Sequence, residues 1–136
     1  IRQNVQQVNM PTVNRVVSMQ EVIQARDLVR QVYMDEKVEN YILDIVFATR
    51  YPERYRLDKL KPLLSYGGSP RASINLALAA KAQAFLNKRG FVIPEDIRSI
   101  SKDVLRHRIG LTYEAEAENV NTENVIDEVL RVIQVP

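Results

Sequence analysis

The chain of 136 residues contains no cysteine and a single histidine, His107. These absences exclude disulfide bonds, thiol catalysis, zinc ribbons and any multi-histidine metal site within the chain, so we expect no metal ligands here. A chain without cysteine is compatible with a reducing compartment, and we expect a cytoplasmic protein. Tryptophan is also absent, and no apolar run approaches the roughly 18 residues that a membrane span requires.

Glycine and proline are scarce, with 4 and 6 residues, which is too few for a turn-rich β-sandwich or a flexible linker protein. The formal net charge is +2, so charge alone does not predict binding to nucleic acid or to membranes. The length predicts one domain. Because the chain begins with Ile1 rather than Met, we expect it to be part of a larger protein.

Residues 1–17 are polar and have no sustained period, which predicts an extended lead-in at a junction with an upstream domain. A disordered tail is an equally good interpretation at a chain end. Residues 18–136 carry helical periodicity and predict an all-α bundle of about five helices, with at most a minimal two-stranded β element. The predicted helices cover about residues 19–30, 36–50, 70–89, 94–109 and 122–133.

The ends of these helices follow from capping signals. The first helix is predicted from the capping-box spacing of Ser18 and Glu21, the second from Asp35, and the last from Asn121 or Thr122. Apolar stripes are predicted to face the core in each. Those of the first and last helices are Met19, Val22, Ile23, Val29 and Val32, and Val125, Ile126, Val129, Leu130 and Ile133.

The third helix is the strongest predicted element, with Ser69 as N-cap, Pro70 at its first position and Gly90 as its stop. Its many alanines and the large apolar residues around its girth predict a helix that is central in a bundle, with neighbouring helices that approach closely. The large residues are Ile74, Leu76, Leu78, Phe85 and Leu86.

Four other segments have weaker signals. Residues 32–34 and 91–93 are β-prone and are predicted to pair with each other, and residues 111–113 could form a short strand. Residues 51–66 are predicted to be mostly loop, with at most a short helical turn. Their basic and aromatic content allows single-strand nucleic-acid stacking, but a solvated loop is the favoured interpretation.

Arg71 does not fit a purely structural account. It is predicted at the second position of the third helix, where the partial positive charge of the helix end disfavours a cation by about 0.3–1 kcal/mol. A nearby phosphate or carboxylate would reverse that effect, and Gly67 and Gly68 would let an anion or a partner backbone approach. The alternatives are an arginine that points into solvent and an ion pair with an acid such as Asp58.

No other pattern predicts chemistry. A phosphate-binding loop ending in Lys-Ser/Thr is absent from the sequence. His107 lies near a helix carboxyl end, where a cation suits the helix dipole better than it suggests catalysis. Tyr41 lies on the apolar face of the second helix, which favours core packing over a ligand wall.

Four ordered motifs resemble the carboxyl-terminal helical lid of MoxR-type AAA+ ATPases. The segment from Tyr66 to Ser73, Tyr-Gly-Gly-Ser-Pro-Arg-Ala-Ser, is similar to the sensor-two motif of that family. The other motifs are Tyr41-Ile42 leading to Ala48-Thr49-Arg50, then Arg89 to Asp96, then Val104 to Ile109; the closing Val135-Pro136 also fits. The resemblance covers about residues 18–136.

The resemblance implies that Arg71 is the sensor-two arginine and contacts the terminal phosphates of ATP. It implies that Ser69 and Pro70 also contribute to the nucleotide site, that Gly67 and Gly68 position the arginine, and that Tyr41 and Ile42 lie near the adenine. Mg²⁺ would be held by a separate core domain. Because the family's Walker segments are absent from this sequence, we expect neither ATP hydrolysis nor tight nucleotide binding by this chain alone.

The resemblance also implies partners: the AAA+ core domain, neighbouring subunits of a ring, commonly a hexamer, and proteins with a von Willebrand factor A domain. The implied function is that of a lid in a chaperone-like assembly factor. Two other classes stay open. One is a helical protein-interaction module without nucleotide binding, and the other is a nucleic-acid binder supported only by residues 51–66.

Overall fold

The structure, a computed structural model, describes residues 13–136, so the expectation for residues 1–12 lies outside the described residues. Within that part of the chain, six α-helices and one two-stranded sheet confirm the predicted all-α class. The elements are α1 (Met19–Gln31), α2 (Glu36–Arg50), β1 (Leu64–Tyr66), α3 (Pro70–Leu86), α4 (Pro94–Leu105), β2 (Gly110–Leu111), α5 (Tyr113–Ala117) and α6 (Thr122–Val132).

The predicted capping residues begin their helices. Ser18 and Glu21 form a capping box, in which the Glu21 amide donates to Ser18 Oγ at 3.2 Å and the Ser18 amide donates to the Glu21 carboxylate. The Asp35 carboxylate accepts a first-turn amide of α2. Asn121, rather than Thr122, caps α6, because its side chain accepts the amide of the third helical residue at 2.9 Å.

Helix α3 lies at the centre of the bundle and packs against α1, α2 and α4. Leu76 is fully buried, and alanines on the same face let the neighbouring helices approach closely. The predicted central position of α3 is confirmed, but Ile74, Leu78 and Leu86 are 59%, 50% and 72% exposed. One side of this apolar helix is therefore open in the described structure.

The carboxyl end of α3 differs from the prediction. Gly90 does not stop the helix; α3 ends at Leu86, and Lys88 adopts the left-handed conformation with φ 58°. The amides of Lys88 and Arg89 bond to carbonyls of the last helical turn at 2.9 Å each, which is a Schellman motif. The sequence pointed to Gly90 because glycine is the usual residue in that conformation, and here lysine takes it.

A nearly buried carboxylate joins the end of α3 to the start of α4. Asp96 is 2% exposed and accepts a bond from Arg89 Nη1 at 2.8 Å and one from the Ile93 amide at 3.0 Å. Burial raises the pKa of Asp96, but the bonds from Arg89 and the Ile93 amide outweigh it and hold that pKa below its ordinary value. The turn between the two helices is therefore fixed by a charged contact.

The two-stranded sheet forms between other segments than the predicted ones. Residues 32–34 and 91–93 meet only in one parallel bridge, between Tyr33 and Phe91. The two-stranded sheet instead joins β1 to β2, antiparallel, with Tyr66 paired to Gly110. The strand β1 corrects the prediction of loop for residues 51–66, which also contain two short 3-10 helices, Pro52–Tyr55 and Asp58–Leu60.

The apolar stripes of the first and last helices have different outcomes. All five predicted inward residues of α6 are buried, from Val125 to Ile133. Helix α1 packs on α3, yet none of its residues is buried, and Met19 and Ile23 are 75% and 50% exposed. Of the predicted stripe only Val32, which follows the last residue of α1, is buried, so the prediction is wrong for the residues within the helix. No helix among residues 13–136 is long and apolar enough to cross a membrane.

Candidate functional site

The start of α3 has the geometry that the sequence predicts. Ser69 is the N-cap in an extended conformation, Pro70 is the first helical residue and Arg71 the second. The Ser69 side chain makes no capping hydrogen bond, and the first turn contains no acidic residue. The amino end of α3 therefore keeps its partial positive charge without a carboxylate of its own.

The Arg71 side chain is exposed at this helix end. It forms no ion pair or side-chain hydrogen bond with any residue from 13 to 136, although seven ion pairs join other side chains there. The predicted alternative of a pair with Asp58 is therefore not formed, and the guanidinium extends into solvent. Its exposure leaves it accessible to an anion carried by another domain or by a ligand.

Gly67 and Gly68, which precede the N-cap, pack against the carboxyl end of α2. A Cβ built on Gly67 would lie 2.7 Å from the Arg50 amide nitrogen and closer still to the Thr49 carbonyl. The predicted space for an anion or a partner backbone is thus filled by the backbone of α2 itself. Glycine is needed at position 67 because any side chain would collide with the α2 backbone. A left-handed backbone conformation is not the reason, since no glycine in the described chain has a positive φ.

Thr49 and Arg50 hold Gly68 by both of its backbone polar groups. The Gly68 amide donates to Thr49 Oγ1 at 2.9 Å, and Arg50 Nη1 donates to the Gly68 carbonyl at 3.3 Å. Thr49 is 1% exposed, and its hydroxyl also donates to the Val46 carbonyl at 2.6 Å. We call Thr49, Arg50, Gly67 and Gly68 the glycine clamp.

Tyr41 and Ile42, which the resemblance assigned to the adenine, are both 2% exposed. The Tyr41 hydroxyl accepts a hydrogen bond from Arg98 Nη1 at 3.2 Å, so its polar atom is satisfied inside the bundle. Tyr41 therefore presents no surface to a ligand in this structure. Ile42 does reach the surface of a shallow groove between α2 and α3.

That groove consists of two adjoining clefts that share Leu43 and Ser73. The cleft nearer the glycine clamp has a volume of about 290 Å³, and the other, which includes Ile42, about 260 Å³. We call their combined surface the α2–α3 groove; its walls are largely apolar. The nearer cleft is lined by Leu43, Val46, Phe47, Arg50, Tyr51, Gly68, Pro70 and Ser73.

Some basic and aromatic residues of 51–66 are engaged within the protein, whereas Tyr66 is 62% exposed. The Tyr51 ring lies under the guanidinium of Arg54, 4.8 Å from its centroid, and packs against Phe47. The Tyr55 hydroxyl donates to Asp44 at 3.0 Å, and burial together with that carboxylate raises the pKa of Tyr55. Two of the three tyrosines in this segment are therefore held in contacts within the protein.

Comparison with known proteins identifies the family. The AAA lid domain family matches residues 60–129, which is just over half of the chain. The chain belongs to the AAA lid domain family. The chain is 33% identical to Chaperone MoxR1 of Mycobacterium tuberculosis over 129 residues, which are 95% of this chain and 34% of that protein. The predicted kinship with MoxR-type AAA+ lids is confirmed.

Two further relatives agree with this assignment. The lid is 34% identical to the uncharacterized protein YeaC of Bacillus subtilis over 92% of its own length and 36% of that protein. A crystal structure from Cytophaga hutchinsonii, described as "a putative ATPase", superposes with a TM-score of 0.94 at 41% identity, covering 99% of the lid and 41% of that chain. The lid thus spans about a third of the length of the curated relatives.

Sequence reasoning missed two parts of this site. Thr49 belongs to one of the family motifs, but no local pattern indicates that its hydroxyl accepts the amide of Gly68, which is distant in sequence. Leu43 and Phe47 lie four residues apart and are 42% and 44% exposed. That i, i+4 spacing outside the main apolar stripe of α2 is the signal that could have indicated the groove.

Proposed function

We propose that Arg71 is the sensor-two residue through which this lid contacts the terminal phosphates of ATP in a MoxR-type AAA+ ATPase. The observation that carries the proposal is the exposed Arg71 guanidinium at the amino end of α3, without an ion pair among the described residues. A cation at that position is unfavourable until an anion is near, and a polyphosphate satisfies both the guanidinium and the helix end.

The proposed role is electrostatic. Guanidinium groups bind phosphate oxygens with two parallel hydrogen bonds, and positive charge beside a transferred phosphoryl group stabilises its transition state. Ser69 and Pro70 set the direction of the first helical turn, and the glycine clamp fixes its position. Mg²⁺ would be held by the core domain, since the described lid residues offer no group of three or more potential metal ligands.

The α2–α3 groove is the proposed neighbour of the nucleotide base. It adjoins Pro70 and has apolar walls, which suit a planar base. Leu43 and Ser73 would contact the base directly, with Ile42 on the groove floor. Tyr41 would act from behind the wall by supporting α2, because its own ring is buried.

The proposal extends to assembly. The lid of an AAA+ ATPase works with a core domain, and the exposed apolar residues of α1 and α3, such as Met19 and Leu78, are suited to meet it. We further propose a cytoplasmic ring, a hexamer, in which lid contacts convert ATP hydrolysis into subunit motion. A chaperone-like role with partners that carry a von Willebrand factor A domain completes the proposal.

The test is to replace Arg71 in the full-length protein. Arg71→Ala is expected to leave the lid folded and to lower turnover at saturating ATP by about 100-fold, the usual effect of losing one preorganised donor. Arg26→Ala is the matched control, since Arg26 is exposed on α1 and forms no ion pair with the described residues. Unchanged turnover in Arg71→Ala would refute the sensor-two role and favour a protein-interaction module that binds no nucleotide.

A further inference from the structure

The buried hydroxyl of Thr49 has two hydrogen-bond partners that belong to different parts of the lid. Thr49 Oγ1 donates to the Val46 carbonyl at 2.6 Å within α2, and it accepts the Gly68 amide at 2.9 Å from the loop before α3. A hydroxyl is required for this arrangement, since it must donate and accept at once. Without it, the Gly68 amide would be buried and unpaired.

The loop is held from the other side as well. Arg50 donates to the Gly68 carbonyl, so two consecutive residues of α2 bind the backbone N–H and the backbone carbonyl of Gly68. Gly67 packs closely on the α2 backbone, so the loop cannot move further toward α2. Only Ser69 and Pro70 separate Gly68 from Arg71, and the φ of Pro70 is fixed by its ring.

We infer that Thr49 is a positioning residue for ATP hydrolysis. Its hydroxyl fixes the loop before α3 and thereby sets the position of the Arg71 guanidinium. This inference rests on the proposed function of Arg71. Thr49 itself touches no ligand; its hydroxyl sets where the first turn of α3 begins. A displacement of the guanidinium by even 1 Å is enough to lower the rate of a positioned reaction strongly.

Thr49→Val in the full-length protein removes the hydroxyl and keeps the shape of the side chain. We expect kcat for ATP hydrolysis to fall about tenfold, while KM for ATP changes less than about twofold, because the misplaced arginine acts on the transition state. Thr49→Ser restores the hydroxyl and is expected to recover most of kcat. A role confined to stability would lower the melting temperature and leave kcat per folded molecule unchanged.

Ser101→Ala supplies the matched control. Ser101 is also fully buried in a helix, and its hydroxyl donates to the Ile97 carbonyl at 2.6 Å, but it has no bond to the loop. Ser101→Ala is expected to affect stability without changing kcat. Arg50→Met is a second test of the glycine clamp, since Arg50 is exposed and lies outside the buried core. It is expected to lower kcat in the same direction as Thr49→Val.

The double variant separates the inference from the proposed function. In an Arg71→Ala background, Thr49→Val is expected to cause no further loss of kcat, since it acts through Arg71. A slow Arg71→Ala variant with wild-type kcat in Thr49→Val, or in Arg50→Met should Thr49→Val not fold, would overturn the inference and leave the sensor-two role intact. Wild-type kcat in Arg71→Ala itself would overturn both.

Discussion

Gly67→Ala tests how strongly the position of Arg71 depends on close packing against α2. An added Cβ would lie 2.7 Å from the Arg50 amide nitrogen, whereas ordinary contact begins near 3.4 Å. The opposing atoms are backbone atoms of a helix end, so no side chain can rotate to relieve the clash. The loop must therefore shift by about 1 Å, as the shortfall at the Thr49 carbonyl is larger still.

That shift has two consequences of different size. Overpacking of this kind costs about 1–3 kcal/mol in free energy of unfolding. A misplacement of about 1 Å in a residue that stabilises a transition state costs up to about 100-fold in rate. We therefore expect ATP turnover by the full-length Gly67→Ala protein to fall by about 10- to 100-fold at a temperature where the lid stays folded.

The assay is steady-state ATP hydrolysis, with thermal unfolding followed on the same samples. Gly90→Ala is the control, because a Cβ at Gly90 would meet nothing within 4 Å. Gly68→Ala should be milder than Gly67→Ala, since its Cβ would lie 3.3 Å from the Ala72 and Val46 side chains. Wild-type turnover in Gly67→Ala would refute the reasoning that packing on α2 positions the arginine.

Two further predictions concern stability. Because the pKa of Asp96 is lowered in the folded state, its stabilising effect is present above its unfolded pKa, about 3.9, and is lost as pH falls through the folded pKa. Urea unfolding of wild type and Asp96→Asn should thus differ most near neutral pH and converge in acid; a constant difference would contradict this. Lys88→Gly should raise the free energy of unfolding by about 1 kcal/mol, because φ 58° is strained for lysine and not for glycine. A free energy of unfolding below that of the wild type would contradict this explanation.

The features that the sequence predicted correctly are those with local causes. Ser18, Asp35 and Asn121 begin their helices because a side-chain oxygen next to a helical pattern satisfies amides a few residues away. Arg71 falls at the second position of α3 because Pro70, which is favoured at the first helical position, marks where that helix begins. Each of these signals lies within one helical turn.

The features that could not be predicted from the sequence depend on contacts between residues that are far apart along the chain. Strand β1 is three residues long and exists because β2 pairs with it from beyond α4. The apolar face of α1 has the pattern of a buried helix, yet periodicity does not state which surface covers it. At the site, the same limit applies to Thr49, whose partner Gly68 becomes a neighbour only after α2 and α3 pack together.

These contacts bear on how a lid could transmit a change at Arg71. The glycine clamp joins the start of α3 to the end of α2, and Arg98 links α2 to α6 by donating to the Tyr41 hydroxyl at 3.2 Å and to the Leu130 carbonyl at 2.7 Å. The loop before α3 is thus connected to α2, and α2 is connected through Arg98 of α4 to α6, by hydrogen bonds of 2.7–3.3 Å. The proposed coupling would then move the lid as one unit, and the angle between lid and core domain, rather than a rearrangement within the bundle, would carry the signal.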